Sequence, residues 1–230
     1  MDMPHSPDSG EETTMLPTVL PVFPIGGAVL LPRGVMPLNI FEPRYLAMVR
    51  DAMAGSKLIG MIQPRFTARE DDDSDGESRP GLFDVGCAGR ITEFRETGDG
   101  RMIIALTGVA RFSVARELDV TTPYRQVMPD FDAYADDEGE PRPLAPAARS
   151  ALETTLRSYL DTQGLSADWK AVAEADDDSL VTTLSAVCPF DAVERQALLE
   201  ARDLPARAAT LNALMTFAQG AGGSDGNLLQ

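Results

Sequence analysis

Residues 39–49 read "NIFEPRYLAMV". An acid, a proline, an arginine and a tyrosine stand between apolar runs, either as a reactive cluster or as the start of a helix. Capping chemistry is enough to explain them. Pro43 suits the first helical turn, where its missing N–H removes no bond. Glu42 then falls at the N-cap, where a carboxylate meets free N–H groups and the positive end of the dipole. Phe41 and Leu46 take the two positions of a hydrophobic staple. Leu46, Val49 and Met53 recur at helical spacing, and Gly55 supplies a stop. The spacing predicts a helix over 43–54, and a buried Phe41 whose truncation costs about 3–5 kcal/mol.

Upstream, prolines at 21, 24, 32 and 37 punctuate a β-branched and aliphatic run. They exclude a helix and long central strands, leaving short strands that turn at "IGG" and "PRG". Downstream, "KLIGMIQ" (57–63) reads as a strand, and the acidic stretch over about 65–80 as a mobile loop too polar to pack. The β pattern resumes at 82–97 and turns at Asp99-Gly100, a strong hairpin signal. It continues through "RMIIALTG" and "VARFSVARE", and ends near 134.

From 147 the apolar spacing is helical. Leu152, Leu156, Tyr159 and Leu160 share one face ahead of Gly164. Leu180, Val181, Leu184 and Val187 follow an acidic start. Val193, Ala197, Leu198 and Ala201 follow an Asp191–Glu194 capping box, and Leu211, Leu214, Met215 and Ala218 follow Pro205. The expected class is α+β: a tail over 1–15, a β-rich part over 16–134, a helical bundle over 147–219 and a tail over 220–230.

The net charge of −16 on 230 residues opposes sequence-independent nucleic-acid binding, which needs basic surface to release counterions. Only a local patch of Arg90, Arg95, Arg101 and Arg111 on the hairpin offers that chemistry a foothold. Cys87 and Cys188 lie in apolar surroundings and read as buried thiols, which suits a reducing cytoplasm. No segment approaches the ~18 apolar residues of a membrane helix, and the acidic first fifteen residues are not a secretory signal. A soluble cytoplasmic protein with no membrane partner is the expectation.

The single histidine, His5, lies in the tail, so no Ser-His-Asp or Cys-His site stands on the body of the chain. Zinc-type ligand spacing, a P-loop and the twelve-residue calcium loop are absent from the sequence. A Ser–Lys dyad would need Lys57 or Lys170, and both read as surface residues. No catalytic residue, metal or cofactor is expected. What remains is apolar surface and short sheet edges, which can take an extended peptide.

Several stretches then resemble a known family in its order: "LPVFP", "LPRGVMPLNIFEPRY", "GRITEF", "DGR", "LTGVARF" and "CPFDAVERQALLEARDLPARAATLNALM". They are similar to the Lon protease N-terminal, or substrate-binding, domain over roughly 16–218. The resemblance implies a PUA-like β pseudo-barrel followed by a helical bundle. It also implies capture of unfolded or extended polypeptides, with a separate ATP-dependent protease or chaperone as a possible partner in an adaptor role. The long acidic insertion over 65–80 departs from the family pattern. Met36, Phe41, Arg44 and Tyr45 carry the family motif and form the candidate polypeptide-contact set, with Arg90 and Arg111 from the hairpin. Each has a structural alternative, such as capping, stapling or pairing of Arg44 with a nearby acid. A PUA-like nucleic-acid or small-ligand binder is the alternative function.

Overall fold

The computed structural model describes residues 16–65 and 80–222. The tail over 1–15, nearly all of the acidic loop over 65–80 and the tail beyond 222 lie outside the described residues. The chain forms strands β1 (Leu20–Pro24) and β2 (Val35–Ile40), helix α1 (Pro43–Ala54) and strand β3 (Leu58–Ile62). The short strands β4 (Pro64–Arg65) and β5 (Gly81–Leu82) pair with each other at the base of the acidic loop. Strands β6 (Val85–Glu96), β7 (Met102–Glu117) and β8 (Arg125–Asp130) complete the β half, and a 3-10 segment (Asp132–Glu138) leaves it. Helices α2 (Pro146–Gln163), α3 (Trp169–Glu174), α4 (Asp177–Val187), α5 (Ala192–Glu200) and α6 (Leu204–Gly222) follow. The α+β class read from the sequence stands.

β1 runs parallel to β3 and antiparallel to β8. The antiparallel pairs β3–β6, β6–β7 and β7–β8 complete a ring of five strands. β2 joins outside the ring, along the first half of β7. Closure needs curvature, and register shifts supply it after Ala88 and Ile91 in β6 and after Val114 in β7. The proline pattern fits this topology: β1 is short, and Pro37 sits in the edge strand β2, where a missing donor is tolerated. The turn at Asp99-Gly100 joins β6 to β7, with Gly100 at φ 82°.

Phe112 fills the ring interior against Leu20, Val22, Leu58, Ala88 and Val127. Gly86 makes room for it, since a Cβ there would stand 2.6 Å from the Phe112 ring and 2.7 Å from the Met61 carbonyl. On the outer face, Met48, Val49 and Ala52 of α1 pack with Ile40, Met102, Ile104 and Leu106. The segment after Leu31 crosses β7 at Gly108, where an added Cβ would meet the Leu31 carbonyl oxygen at 2.0 Å. The helices bury a separate core of Leu152, Leu156, Tyr159, Val181, Leu198, Leu211 and Met215.

Polar contacts lock the two halves together. Leu199 of α5 is buried in the barrel's outer core. Gln63 Nε2 donates to Ala192 O at 2.8 Å and to Gln196 Oε1 at 3.1 Å, while Gln196 Nε2 donates to Val85 O at 3.1 Å. Arg111 adds a buried, many-bonded link. Its Nε and Nη2 donate to the two oxygens of Asp137 at 2.8 and 2.7 Å. Nη1 donates to Leu199 O at 3.0 Å and to Ala201 O, and Nη2 also reaches Arg202 O at 3.1 Å.

Several local expectations are corrected. Phe41 is 61% exposed and staples nothing. Alternation along β2 turns Leu38 and Ile40 toward the core, so the residue after Ile40 faces away. Helix α1 does begin at Pro43 with Glu42 as N-cap residue, but the Glu42 carboxylate makes no cap bond. It accepts from Arg44 Nε at 2.9 Å instead. Val187 and Val193 face solvent, because α4 and α5 turn other rows inward, including Ser185 and Gln196. The capping box of Asp191 and Glu194 and the left-handed Gly164 stop are both present. "RMIIALTG" and "VARFSVARE" form the single strand β7.

Candidate functional site

A large, mainly apolar opening lies where the two halves meet. The segment from Gly27 into β2 forms one wall, α4 forms the other, and the cleft holds about 570 Å³. Val35, Met36 and Pro37 of β2 and Thr182, Ala186 and Val187 of α4 line it. Two of these side chains are unusually bare for their type: Val35 is 66% exposed and Val187 is 67% exposed. A cleft of this volume is in the range that takes small ligands or a few side chains of a peptide.

The charged groups around the cleft are already engaged. Arg33 Nε pairs with Asp178 at 2.7 Å and Nη1 donates to Asp137 O at 2.9 Å, closing one end. Arg195 donates to the carbonyls of Phe190, Ala186 and Cys188 at 2.8–2.9 Å, capping the end of α4. Binding in the cleft therefore draws on apolar contact, with the guanidinium groups as a fixed frame.

A smaller hollow of about 220 Å³ opens beside α1, walled by Pro24, Pro64, Pro123, Tyr45, Tyr124 and Arg44. Tyr45 lies against the Phe23 ring with centroids 4.1 Å apart, and the Arg44 guanidinium stacks over it at 4.5 Å. Burial pushes the Tyr45 phenol up from its ordinary value. Tyr124 donates to Asp51 at 2.6 Å, and burial with this bond pushes its phenol up to about 12.

The structure scatters the six candidate contact residues and does not gather them into one site. Met36 lines the apolar cleft, Arg44 and Tyr45 line the smaller hollow, and Phe41 stands exposed between β2 and α1. Arg90 lies opposite Leu58 and Thr107 in the sheet. Arg111 is 2% exposed, saturated by Asp137 and carbonyls, and has no face for a ligand. It cannot join Arg90, Arg95 and Arg101 in a surface patch. The α4 wall went unread in the sequence because Val187 continues the helical spacing of a core row.

Neither thiol is placed for nucleophilic chemistry. Burial raises the Cys87 thiol far above its ordinary value and Cys188 to about 11, so both are protonated at neutral pH. Lys170 sits exposed, 3.8 Å from Glu174. Among the described residues, no group of three or more His, Cys, Asp or Glu is arranged to hold a metal ion, and no helix is long and apolar enough to cross a membrane.

A closed barrel with attached helices and an apolar cleft at their junction is the build of a non-covalent binding module. The family profile of the ATP-dependent protease La (LON) substrate-binding domain matches residues 19–216, and the chain belongs to that family. The match is to this domain and not to a protease or ATPase domain. Among curated relatives, Lon protease 2 of Myxococcus xanthus is 28% identical over 201 residues, 84% of this chain and 23% of that protein. Lon protease of Anaeromyxobacter dehalogenans is 31% identical over 112 residues, 47% of this chain and 12% of that protein. The chain thus spans about a quarter or less of the length of such relatives.

Among solved structures, a Lon N-terminal domain protein from Xanthomonas campestris superposes with a TM-score of 0.58 at 25% identity, covering 85% of this chain and 98% of that one. The N-terminal domain of a Mycobacterium avium complex Lon protease gives 0.59 at 16% identity over 86% and 98%, a likeness of fold.

Proposed function

We propose that this chain is a non-catalytic module that binds unfolded or extended polypeptide in the cleft between β2 and α4. The observation that carries the reading is the pair of bare valines, Val35 and Val187, facing one apolar cleft on a chain of net charge −16. Two exposed apolar side chains gathered on one apolar cleft support a binding role. Pro37 interrupts the donors along the β2 edge, so side-chain burial carries more of the affinity than added strand pairing. Met36 contributes from the cleft floor, with Phe41, Arg44 and Tyr45 as a second contact region. A separate ATP-dependent protease or chaperone fits as the partner to which an adaptor would pass its client, and a cytoplasmic setting fits two buried free thiols. The net charge disfavours the nucleic-acid alternative.

Fluorescence anisotropy with a labelled unfolded protein tests the reading. Saturable binding is expected, and Val35→Asp and Val187→Asp should each weaken it about tenfold or more through a desolvated charge in an apolar contact. Both positions are exposed, so melting should hardly move. Unchanged affinity in both variants refutes the cleft.

A further inference from the structure

The start of helix α6, the 3-10 segment and the strand β7 line a second large, open hollow of about 680 Å³. Its arginines are Arg33, Arg111, Arg142, Arg202 and Arg207. Three of these are committed: Arg33 to Asp178, Arg111 to Asp137, and Arg202 to the adjacent Asp203 at 3.4 Å. Arg207 is different. It is 2% exposed, and its side chain's one hydrogen bond among the described residues runs from Nε to Leu198 O at 3.0 Å. No carboxylate of the described residues lies within ion-pair distance of it.

A buried guanidinium whose nearest counter-charges, Asp137 and Asp178, lie beyond ion-pair distance is a costly arrangement, and the group stays ionised at neutral pH in almost any surroundings. Burial first, then the nearby Arg111, pull Arg207 down to about 10 against the opposing influence of Asp137 and Asp178, still well above neutrality. The charge therefore persists, and its two Nη groups are left to whatever enters the cavity. Arg142, exposed on the same wall, likewise forms no ion pair among the described residues. The wall also carries Asp136, Asp137, Glu140 and Asp203. Asp137 is held by Arg111, and Asp203 accepts from the Ala206 N–H at 2.8 Å. Asp136 and Glu140 are exposed and repel an anion that approaches along their side.

We infer that this cavity is an oxyanion site: Arg207 takes a phosphate or carboxylate group of a small ligand at its floor, and Arg142 closes over the group from the rim. Paired guanidinium N–H donors match the oxygens of either group. The site meets the apolar cleft only at Arg33, which lines both, and it does not depend on polypeptide binding.

Titration calorimetry on the full chain at constant ionic strength, with inorganic phosphate in one arm and succinate in the other, tests this and separates the two chemistries. Saturable one-to-one binding of either anion at millimolar concentration or below is expected, accompanied by a rise in Tm. Arg142→Ala should weaken it about tenfold, the worth of one charge-assisted contact, with unchanged melting of the free protein. Arg207→Met should abolish binding while leaving the melting of the free protein equal or higher, because a buried unpaired charge has been removed. No saturable heat with either anion overturns the proposal, and so does undiminished binding in Arg207→Met. Should Arg207→Met fail to fold, the wild-type and Arg142→Ala titrations decide.

Discussion

Replacing Arg111 by methionine keeps most of the side-chain volume and removes the charge that holds the two halves together. Asp137, itself buried, would lose both guanidinium bonds and keep only the Arg111 backbone N–H, at 2.9 Å. The carbonyls of Leu199, Ala201 and Arg202 would lose their donors as well, and the stack of the guanidinium over Tyr134 at 4.3 Å would go. Removing one partner of a buried pair costs about 3–5 kcal/mol, mostly from the charge left behind. For a chain of this length each kcal/mol lowers Tm by roughly 2–4 °C. Arg111→Met is therefore expected to melt roughly 6–20 °C below the parent, read by circular dichroism. The double variant Arg111→Met/Asp137→Leu should recover a large part of the loss, since no charge is then stranded. A single variant that melts with the parent refutes the reasoning. So does a double variant whose loss equals the sum of the two singles, since coupled residues do not add.

Phe41→Ala should cost under about 1 kcal/mol by chemical denaturation, because the ring is largely in water and little apolar area is lost; a loss of unfolded-protein affinity in the same variant would place the ring in the contact surface. Asp191→Ala removes the side-chain bond to the Glu194 N–H at 2.8 Å, and should lower stability by about 1 kcal/mol in the same assay. Tyr124 sets a pH dependence at the alkaline end. In the unfolded chain a tyrosine ionises near pH ~10, whereas burial and the bond to Asp51 hold Tyr124 to about 12 in the fold. Its contribution is thus complete below the unfolded value and is lost as pH rises toward the folded one. Tyr124→Phe should flatten that alkaline decline in Tm, with tyrosinate absorbance tracking the ionisation.

Much of the fold is legible in short stretches. Pro43 and Gly55 bound α1, Asp191 and Glu194 close a capping box, Gly164 ends α2 and Asp99-Gly100 turns the hairpin. Each of these signals is satisfied by residues a few positions away, so the sequence carries the cause beside the effect. The change from alternating to helical spacing likewise marks where strands give way to helices. Family motifs extended that reading to the barrel, yet they did not say which motif side chains meet. Phe41 and Tyr45 illustrate the limit: one is exposed and the other buried, because strand parity governs the first and the Phe23 ring shelters the second.

The remaining features depend on partners distant in the chain. Arg111 looks like a surface cation until Asp137 and Leu199, 26 and 88 residues on, surround it. The wall of the apolar cleft is fixed by Arg33 and Asp178, 145 residues apart. Local propensity and spacing thus determine the elements and their order by themselves. Ring closure and packing of α5 against the barrel decide which charges are buried, which valines stay bare and where a ligand can enter. Burial and electrostatic pairing are properties of the assembled volume, and no window of neighbouring residues contains them.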